Sequence, residues 1–205
     1  MVKTCIIISG GDFSHIPAPG PGDLIIACDK GYAYAKRCGI TPDLVVSDFD
    51  SYDGAIDPAV PVNRFRSEKD DTDTMIAIRC AAERGFDAVA LYCALGGRLD
   101  HTLANLQSLV FAETHGMRGS IFSEDTVVHT LQKGSLTLPR RGGWALSVFA
   151  AQDRCEGVSI RGAKYPLDRV TLTNAFPLGV SNEWAAEAAE ISVEEGILLI
   201  IESKL

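Results

Sequence analysis

Five short polar clusters carry the chemistry legible in this chain. They are Ser9-Gly10-Gly11-Asp12, Cys28-Asp29-Lys30-Gly31, Ser47-Asp48-Phe49-Asp50-Ser51, Ser67-Glu68-Lys69-Asp70-Asp71-Thr72-Asp73 and Leu95-Gly96-Gly97-Arg98-Leu99-Asp100-His101. Carboxylates crowded into one place repel one another unless positive charge sits among them. Asp48 and Asp50 are separated by one residue, so a curled loop can turn both toward one ion, and Asp73 can supply a third oxygen donor. Such hard oxygen ligands suit Mg²⁺, which completes its shell with water and substrate phosphates. Gly96-Gly97-Arg98 before a helical pattern offers backbone N–H groups, a positive helix end and a guanidinium, the means of holding a phosphate chain. Asp100 reads as the cap of that helix, and His101 and Asn105, four residues apart, share a face near its start. Asp70 or Asp71 reads equally well as a cap for the helix that follows, Asp73 as an acidic residue favoured by its dipole, and Lys69 as a partner of Asp70 or of a phosphate.

The clusters gain weight from what precedes them. Apolar runs of strand length lie at 4–9, 24–28, 44–47, 62–65, 88–94 and 120–123, and each of the first five ends in one of the clusters. Helical patterns occupy 31–38, 72–84 and 99–115. The last carries Leu99, Leu103, Leu106, Leu109 and Val110 as one expected apolar face. Alternating strands and helices predict a parallel sheet covered by helices. Every strand of an open parallel sheet ends on the same edge, and ligands bind outside that edge. The acidic clusters are therefore expected to converge on one site.

Beyond residue 124 the texture changes to short strand-like runs at 127–131, 136–138, 144–149, 158–160, 170–172, 189–193 and 197–202, divided by Gly, Pro and Asp/Asn turn signals. These predict an antiparallel sandwich or small barrel. Gly179-Val180-Ser181-Asn182-Glu183-Trp184 is the conspicuous cluster here, either a turn between strands or, through Trp184, a stacking surface for a flat heterocycle. Arg140-Arg141 reads as a solvated turn.

The 205 residues carry a formal net charge of −8, with 46% hydrophobic and 22% charged residues. That composition excludes a disordered chain and argues against nucleic acid or an anionic membrane as the main partner. No apolar run approaches the ~18 residues of a membrane span. The six cysteines show no CxxC spacing, which predicts free thiols in the cytoplasm.

Taken in order, Cys28-Asp29-Lys30-Gly31, Ser47-Asp48-Phe49-Asp50-Ser51, Lys69-Asp70-Asp71-Thr72-Asp73, Gly96-Gly97-Arg98-Leu99-Asp100-His101 with Asn105, and Ser181-Asn182-Glu183 resemble the thiamine pyrophosphokinase family in its short bacterial form. The resemblance implies a Rossmann-like α/β catalytic domain (1–124) binding ATP and Mg²⁺, then an antiparallel β-sandwich domain (125–205) for thiamine binding and dimerisation. It implies transfer of a pyrophosphoryl group from ATP to thiamine, giving thiamine diphosphate and AMP, by a homodimer with thiamine in clefts between domains of different subunits. Carried over by position, Asp29, Asp48, Asp50 and Asp73 are catalytic, the last three binding metal. Lys69, Asp70, Thr72, Arg98, Asp100, His101 and Asn105 line the nucleotide and diphosphate region, and Ser181 and Asn182 lie on the thiamine side; Trp184 follows at a position that varies within the family and joins them only as the stacking surface read above. Ser47 departs from the pattern, because Gly usually precedes the Asp-Phe-Asp-Ser run. Three other readings share parts of this pattern: a pyrophosphokinase for another heterocyclic alcohol such as a pterin, a phosphatase using Asp48 as nucleophile, and a non-catalytic thiamine or nucleotide sensor.

Overall fold

A computed structural model describes residues 2–47, 54–64 and 71–205. The chain divides into two compact units, Met1–Glu124 and Asp125–Leu205. It is an α/β chain dominated by strands, with three helices among the described residues.

The first unit contains strands β1 (Thr4–Ile8), β2 (Leu24–Cys28), β3 (Leu44–Ser47), β4 (Val62–Arg64), β5 (Ala88–Tyr92) and β6 (Arg118–Phe122). They form a parallel sheet in the order β6-β5-β1-β2-β3-β4. The inner strands are nearly continuous runs of β-branched and other apolar residues because both faces are covered: all of Cys5–Ile8, Ile25–Cys28 and Leu44–Ser47 are buried. Helices α1 (Gly31–Arg37), α2 (Asp73–Glu83) and α3 (Leu99–Thr114) connect strands and pack against them, α2 also against α3. The chain leaves β1 toward β2 and later returns to β5 on β1's other side. The order of strand addition therefore reverses between β1 and β5, which stay parallel, and a crevice opens there at the strand ends.

The apolar face expected for α3 is rotated. Its buried residues are Asn105, Ser108, Leu109 and Ala112, while Leu99 and Leu103 are 82% and 55% exposed. Ser108 tolerates burial because its hydroxyl donates to the Ala104 carbonyl at 2.8 Å.

The second unit is antiparallel throughout. Its strands are β7 (Thr126–Pro139), β8 (Trp144–Ala150), β9 (Arg154–Arg161), β10 (Leu167–Thr173), β11 (Gly179–Asn182) and β12 (Ala188–Lys204). Two pairs of short runs expected from sequence are each one long strand. The interruption at Lys133-Gly134 in β7 and that at Glu194-Glu195-Gly196 in β12 lie opposite one another, where the register slips between Val193 and Ile197. Lys133, Gly134 and Gly196 take positive φ (51°, 103° and 95°), so these are bulges that bend continuous strands, not turns that end them. Beyond the bend β12 changes partner, from β9 to β8, while keeping β7 on its other edge. Gly179–Asn182, read as a turn, is a strand paired with β8. Arg141 is not simply solvated: its Nε lies 3.3 Å from an oxygen of buried Glu202, and its guanidinium sits 4.9 Å from the Trp144 ring centroid.

Candidate functional site

The crevice at the β1/β5 switch is a cleft of about 580 Å³ lined by residues from the ends of β1, β2 and β5 and from the starts of α2 and α3. Its walls depend on backbone approaches that only glycine permits. The segment after β1 runs beside the segment after β5, with Gly11 N–H donating to the Cys93 carbonyl at 2.7 Å and Asp12 N–H to the Leu95 carbonyl at 2.8 Å. A Cβ on Gly11 would stand 2.4 Å from the Leu95 oxygen, and one on Gly31 would stand 2.0 Å from the Ile8 oxygen. The chain can therefore turn from β2 into α1 directly beneath the end of β1.

Asp29, at that turn, adopts φ 46°, a left-handed conformation uncommon outside glycine and asparagine. Its N–H donates to the Val46 carbonyl (3.1 Å) and its carbonyl accepts from Tyr32 N–H (3.0 Å). The Ser47 hydroxyl donates to its carboxylate in a short bond. Lys30 beside it reaches over the Tyr34 ring (5.2 Å to the centroid), and contact with the Tyr34 hydroxyl raises its pKa.

The cap of α2 is Thr72, whose hydroxyl accepts from Met75 N–H at 3.2 Å. Asp71 instead pairs with Arg79 at 3.2 Å. Asp73 sits in the first turn of α2 and lines the cleft. The Ser9 and Thr74 hydroxyls, 2.9 Å apart and buried, tie the end of β1 to this turn.

Gly96 and Gly97 both take positive φ (78° and 63°), the turn that delivers the chain from β5 to α3. Asp100 does not cap α3, contrary to the sequence expectation. Arg98 occupies the cap position in extended conformation without a side-chain capping bond, and the Asp100 carboxylate accepts from the Arg98 guanidinium at 3.1 and 2.5 Å and from the His101 N–H at 3.0 Å. This fork raises the Arg98 pKa and lowers that of Asp100. Arg98 lines the cleft while Asp100 does not. His101 and Asn105 line it together, as their spacing predicts. The Asn105 amide donates to the Ala94 carbonyl at 2.7 Å, fixing α3 against the end of β5.

Of the site residues predicted in the first unit, the cleft brings together Asp29, Thr72, Asp73, Arg98, His101 and Asn105. Asp48, Asp50, Lys69 and Asp70 lie outside the described residues. Among the described residues, no three His, Cys, Asp or Glu side chains form a metal-binding group. Asp12, Lys30 and Asp71 also line the cleft. All three lie in the strand-end clusters, which is the signal the sequence offers for them.

In the second unit, Ser181 is exposed with φ 57° at a bulge of β11, its N–H donating to the Ser147 hydroxyl at 3.0 Å. Asn182 is 3% exposed and its amide is bonded within the fold through both its oxygen and its nitrogen. It accepts from Tyr165 N–H and Glu183 N–H, both at 2.9 Å, and donates to the Tyr165 carbonyl at 2.7 Å. Trp184 is 7% exposed and belongs to the unit's core, with its indole N–H donating to the Leu138 carbonyl at 3.2 Å. Its ring is packed rather than presented, and its backbone forms a bridge to Ala163.

Two family models match the chain in succession: "Thiamin pyrophosphokinase, catalytic domain" over residues 21–119, and "Thiamin pyrophosphokinase, vitamin B1 binding domain" over 135–198. A curated relative, the thiamine pyrophosphokinase of Bacillus subtilis, is 28% identical over 212 residues, covering 98% of this chain and 99% of the relative. The crystal structure of the Bacillus subtilis enzyme superposes with TM-score 0.87 at 26% identity, covering 98% of this chain and 99% of that one. That of Geobacillus thermodenitrificans thiamin pyrophosphokinase gives 0.81 at 25%, covering 100% and 98%.

Proposed function

The chain belongs to the thiamine pyrophosphokinase family, and from that premise we propose that it transfers the pyrophosphoryl group of ATP to the hydroxyl of thiamine, releasing thiamine diphosphate and AMP. The observation that carries the assignment to this cleft is the meeting of carboxylates, the Gly96-Gly97 turn and Arg98 at one sheet switch point. In this reading residues 1–124 are a Rossmann-like catalytic domain and 125–205 a β-sandwich domain for thiamine and for homodimer formation. The enzyme works in the cytoplasm, in keeping with six free cysteines.

The thiamine hydroxyl oxygen attacks the β-phosphorus of ATP, the bond from that phosphorus to the α,β-bridging oxygen breaks, and AMP leaves with the electron pair. Asp29 or Asp73 takes the hydroxyl proton as the new P–O bond forms. Backbone N–H groups at Gly96-Gly97, the positive end of α3 and the Arg98 guanidinium hold the phosphate chain in line. Arg98 does this by sharing or exchanging its fork with Asp100, which keeps it extended and charged beforehand. The donor chemistry fits Mg²⁺: carboxylate oxygens are the hard ligands it takes, and Asp73 lines the cleft on the helix that follows the 65–70 segment. Asp48, Asp50 and Asp73 would hold the ion, which when bound supplies charge to offset that of the phosphate oxygens. Thr72, His101 and Asn105 shape the nucleotide side, with Lys69 and Asp70 assigned there by position. On the thiamine side Ser181 offers the exposed hydroxyl, while Asn182 and Trp184 anchor the end of β11, from which it projects.

The test is product analysis with ATP, Mg²⁺ and thiamine. AMP and thiamine diphosphate in equal amounts support the proposal. ADP or free phosphate overturns the mechanism, and AMP formed only with another alcohol overturns the acceptor.

A further inference from the structure

The cleft carries the carboxylates of Asp12, Asp29, Asp71 and Asp73, and a phosphate chain entering it brings more negative charge. Among the described residues, the lysine and arginine side chains that line it are Lys30 and Arg98. The strand order β5-β1-β2 puts them on opposite sides of β1, Arg98 after β5 and Lys30 after β2. Arg98 is already engaged with the Asp100 carboxylate, whereas Lys30 rests against an aromatic ring.

The local fold does not call for a lysine at position 30. It is the N-cap of α1, where short polar side chains are favoured and a positive charge opposes the helix dipole, and it makes no capping bond. Its neighbours direct the side chain instead. An added Cβ on Gly10 would stand 3.5 Å from Lys30 Cβ, so the stem passes beside the segment that follows β1. The ammonium lies 5.2 Å from the centroid of Tyr34, one turn further along α1. The Tyr34 hydroxyl donates to the Gly11 carbonyl at 3.0 Å, and Phe13 meets the Tyr34 ring edge-on at 5.4 Å. Lysine, ring and the 9–12 segment thus form one wall. Contact with the Tyr34 hydroxyl, then the charge of Asp12, raises the Lys30 pKa and keeps it cationic. Asp12 also packs against Gly96 and so joins this wall to the Gly96-Gly97 turn.

We infer that Lys30 is a phosphate-holding residue: its ammonium grips the ATP phosphate chain from the β2 side while Arg98 and the Gly96-Gly97 turn hold it from the β5 side. The inference rests on the reading that ATP occupies this cleft. A lysine acts on phosphate as a compact point charge without a fixed fork, so its flexible head can move from the Tyr34 ring to the phosphate oxygens. There it also offsets Asp12, which alone would repel the chain. The contribution is tied to the charge of residue 30 and weakens with added salt.

The experiment titrates ATP with Mg²⁺, by calorimetry and without thiamine, into wild type, Lys30→Met and Lys30→Arg at low and high NaCl. Thermal unfolding confirms that each is folded. Expected are a Kd for ATP raised about tenfold or more in Lys30→Met, one within about threefold of wild type in Lys30→Arg, and a shallower salt dependence in Lys30→Met. Under turnover the KM for ATP rises in Lys30→Met, while that for thiamine stays within about twofold. A folded Lys30→Met that binds ATP like wild type overturns the inference. So does an equal loss in Lys30→Arg and Lys30→Met, since the lost feature would then be shape and not charge. Wild type that binds ATP but forms no AMP with thiamine overturns the reading of the reaction, and the titrations still decide Lys30. Wild type that binds no ATP overturns both.

Discussion

The Gly96-Gly97 turn offers two adjacent glycines that fail for different reasons when replaced. Both have positive φ, so Gly96→Ala and Gly97→Ala each carry the left-handed cost of an L-residue, about 1 kcal/mol. At Gly97 nothing lies within 4 Å of the new methyl group, and the conformational cost stands alone. At Gly96 the methyl would stand 2.0 Å from Asp12 Oδ2, 2.3 Å from its Cγ and 2.8 Å from its Cβ. Rotating the carboxylate clears the first two contacts but not the third, because Asp12 Cβ is fixed by a main chain bonded to Leu95. The two segments must separate, adding about 2 kcal/mol of overpacking. Gly97→Ala is therefore expected to lower Tm by about 3 °C and Gly96→Ala by about 9 °C, taking about 3 °C per kcal/mol for a chain of this size. Differential scanning calorimetry of the three proteins under one buffer makes the comparison. Equal shifts, or a larger loss at Gly97, would refute the argument that the β1 and β5 extensions are locked together through Asp12 and Gly96.

Three further outcomes follow from the same geometry. Asp73→Asn keeps the shape of the α2 turn but removes a cleft carboxylate, so kcat should fall by about 100-fold or more while Tm stays within about 2 °C; turnover within threefold of wild type would remove Asp73 from the machinery. Arg98→Ala frees Asp100, whose carboxyl should titrate at higher pH, back toward its ordinary range, as followed by NMR; the KM for ATP should rise in the same variant. Because the Asp100 shift is downward, the pair favours the folded state only above the ordinary carboxylate range, and the contribution vanishes as pH falls through the folded pKa. Both side chains are exposed, so Arg98→Ala should move catalysis and not Tm. Asn182→Ala strands the Tyr165 N–H and carbonyl and the Glu183 N–H, and should cost about 3 kcal/mol with a raised KM for thiamine; unchanged urea unfolding would show that those three bonds are dispensable.

The first unit is legible in the sequence because a parallel sheet leaves two strong signals. Strands buried on both faces are continuous apolar runs, and the polar residues just beyond them must share one edge, which is how Asp29, Asp73, Arg98, His101 and Asn105 could be grouped from spacing. Local competition between partners is less legible. Asp100 has the side chain of a cap, yet the helix starts one residue before it, and its carboxylate takes the Arg98 fork together with the His101 N–H. Leu99 and Leu103 fit a helical apolar stripe, but the angle at which α3 leaves the Gly96-Gly97 turn sets which side meets the sheet. In the second unit, Gly-containing interruptions stand equally for turns and bulges, so β7 and β12 were read as pairs of short strands. Trp184 beside polar residues read as an exposed ring, whereas the structure packs it into the unit's core.

Attack on the β-phosphorus of ATP is open to a direct check by isotopic label. Wild-type protein with thiamine, Mg²⁺ and ATP labelled at the β-phosphorus should place all consumed label in thiamine diphosphate and none in AMP, with label at the α-phosphorus wholly in AMP. Label at the β-phosphorus recovered in ADP, or in pyrophosphate formed without thiamine, would contradict it.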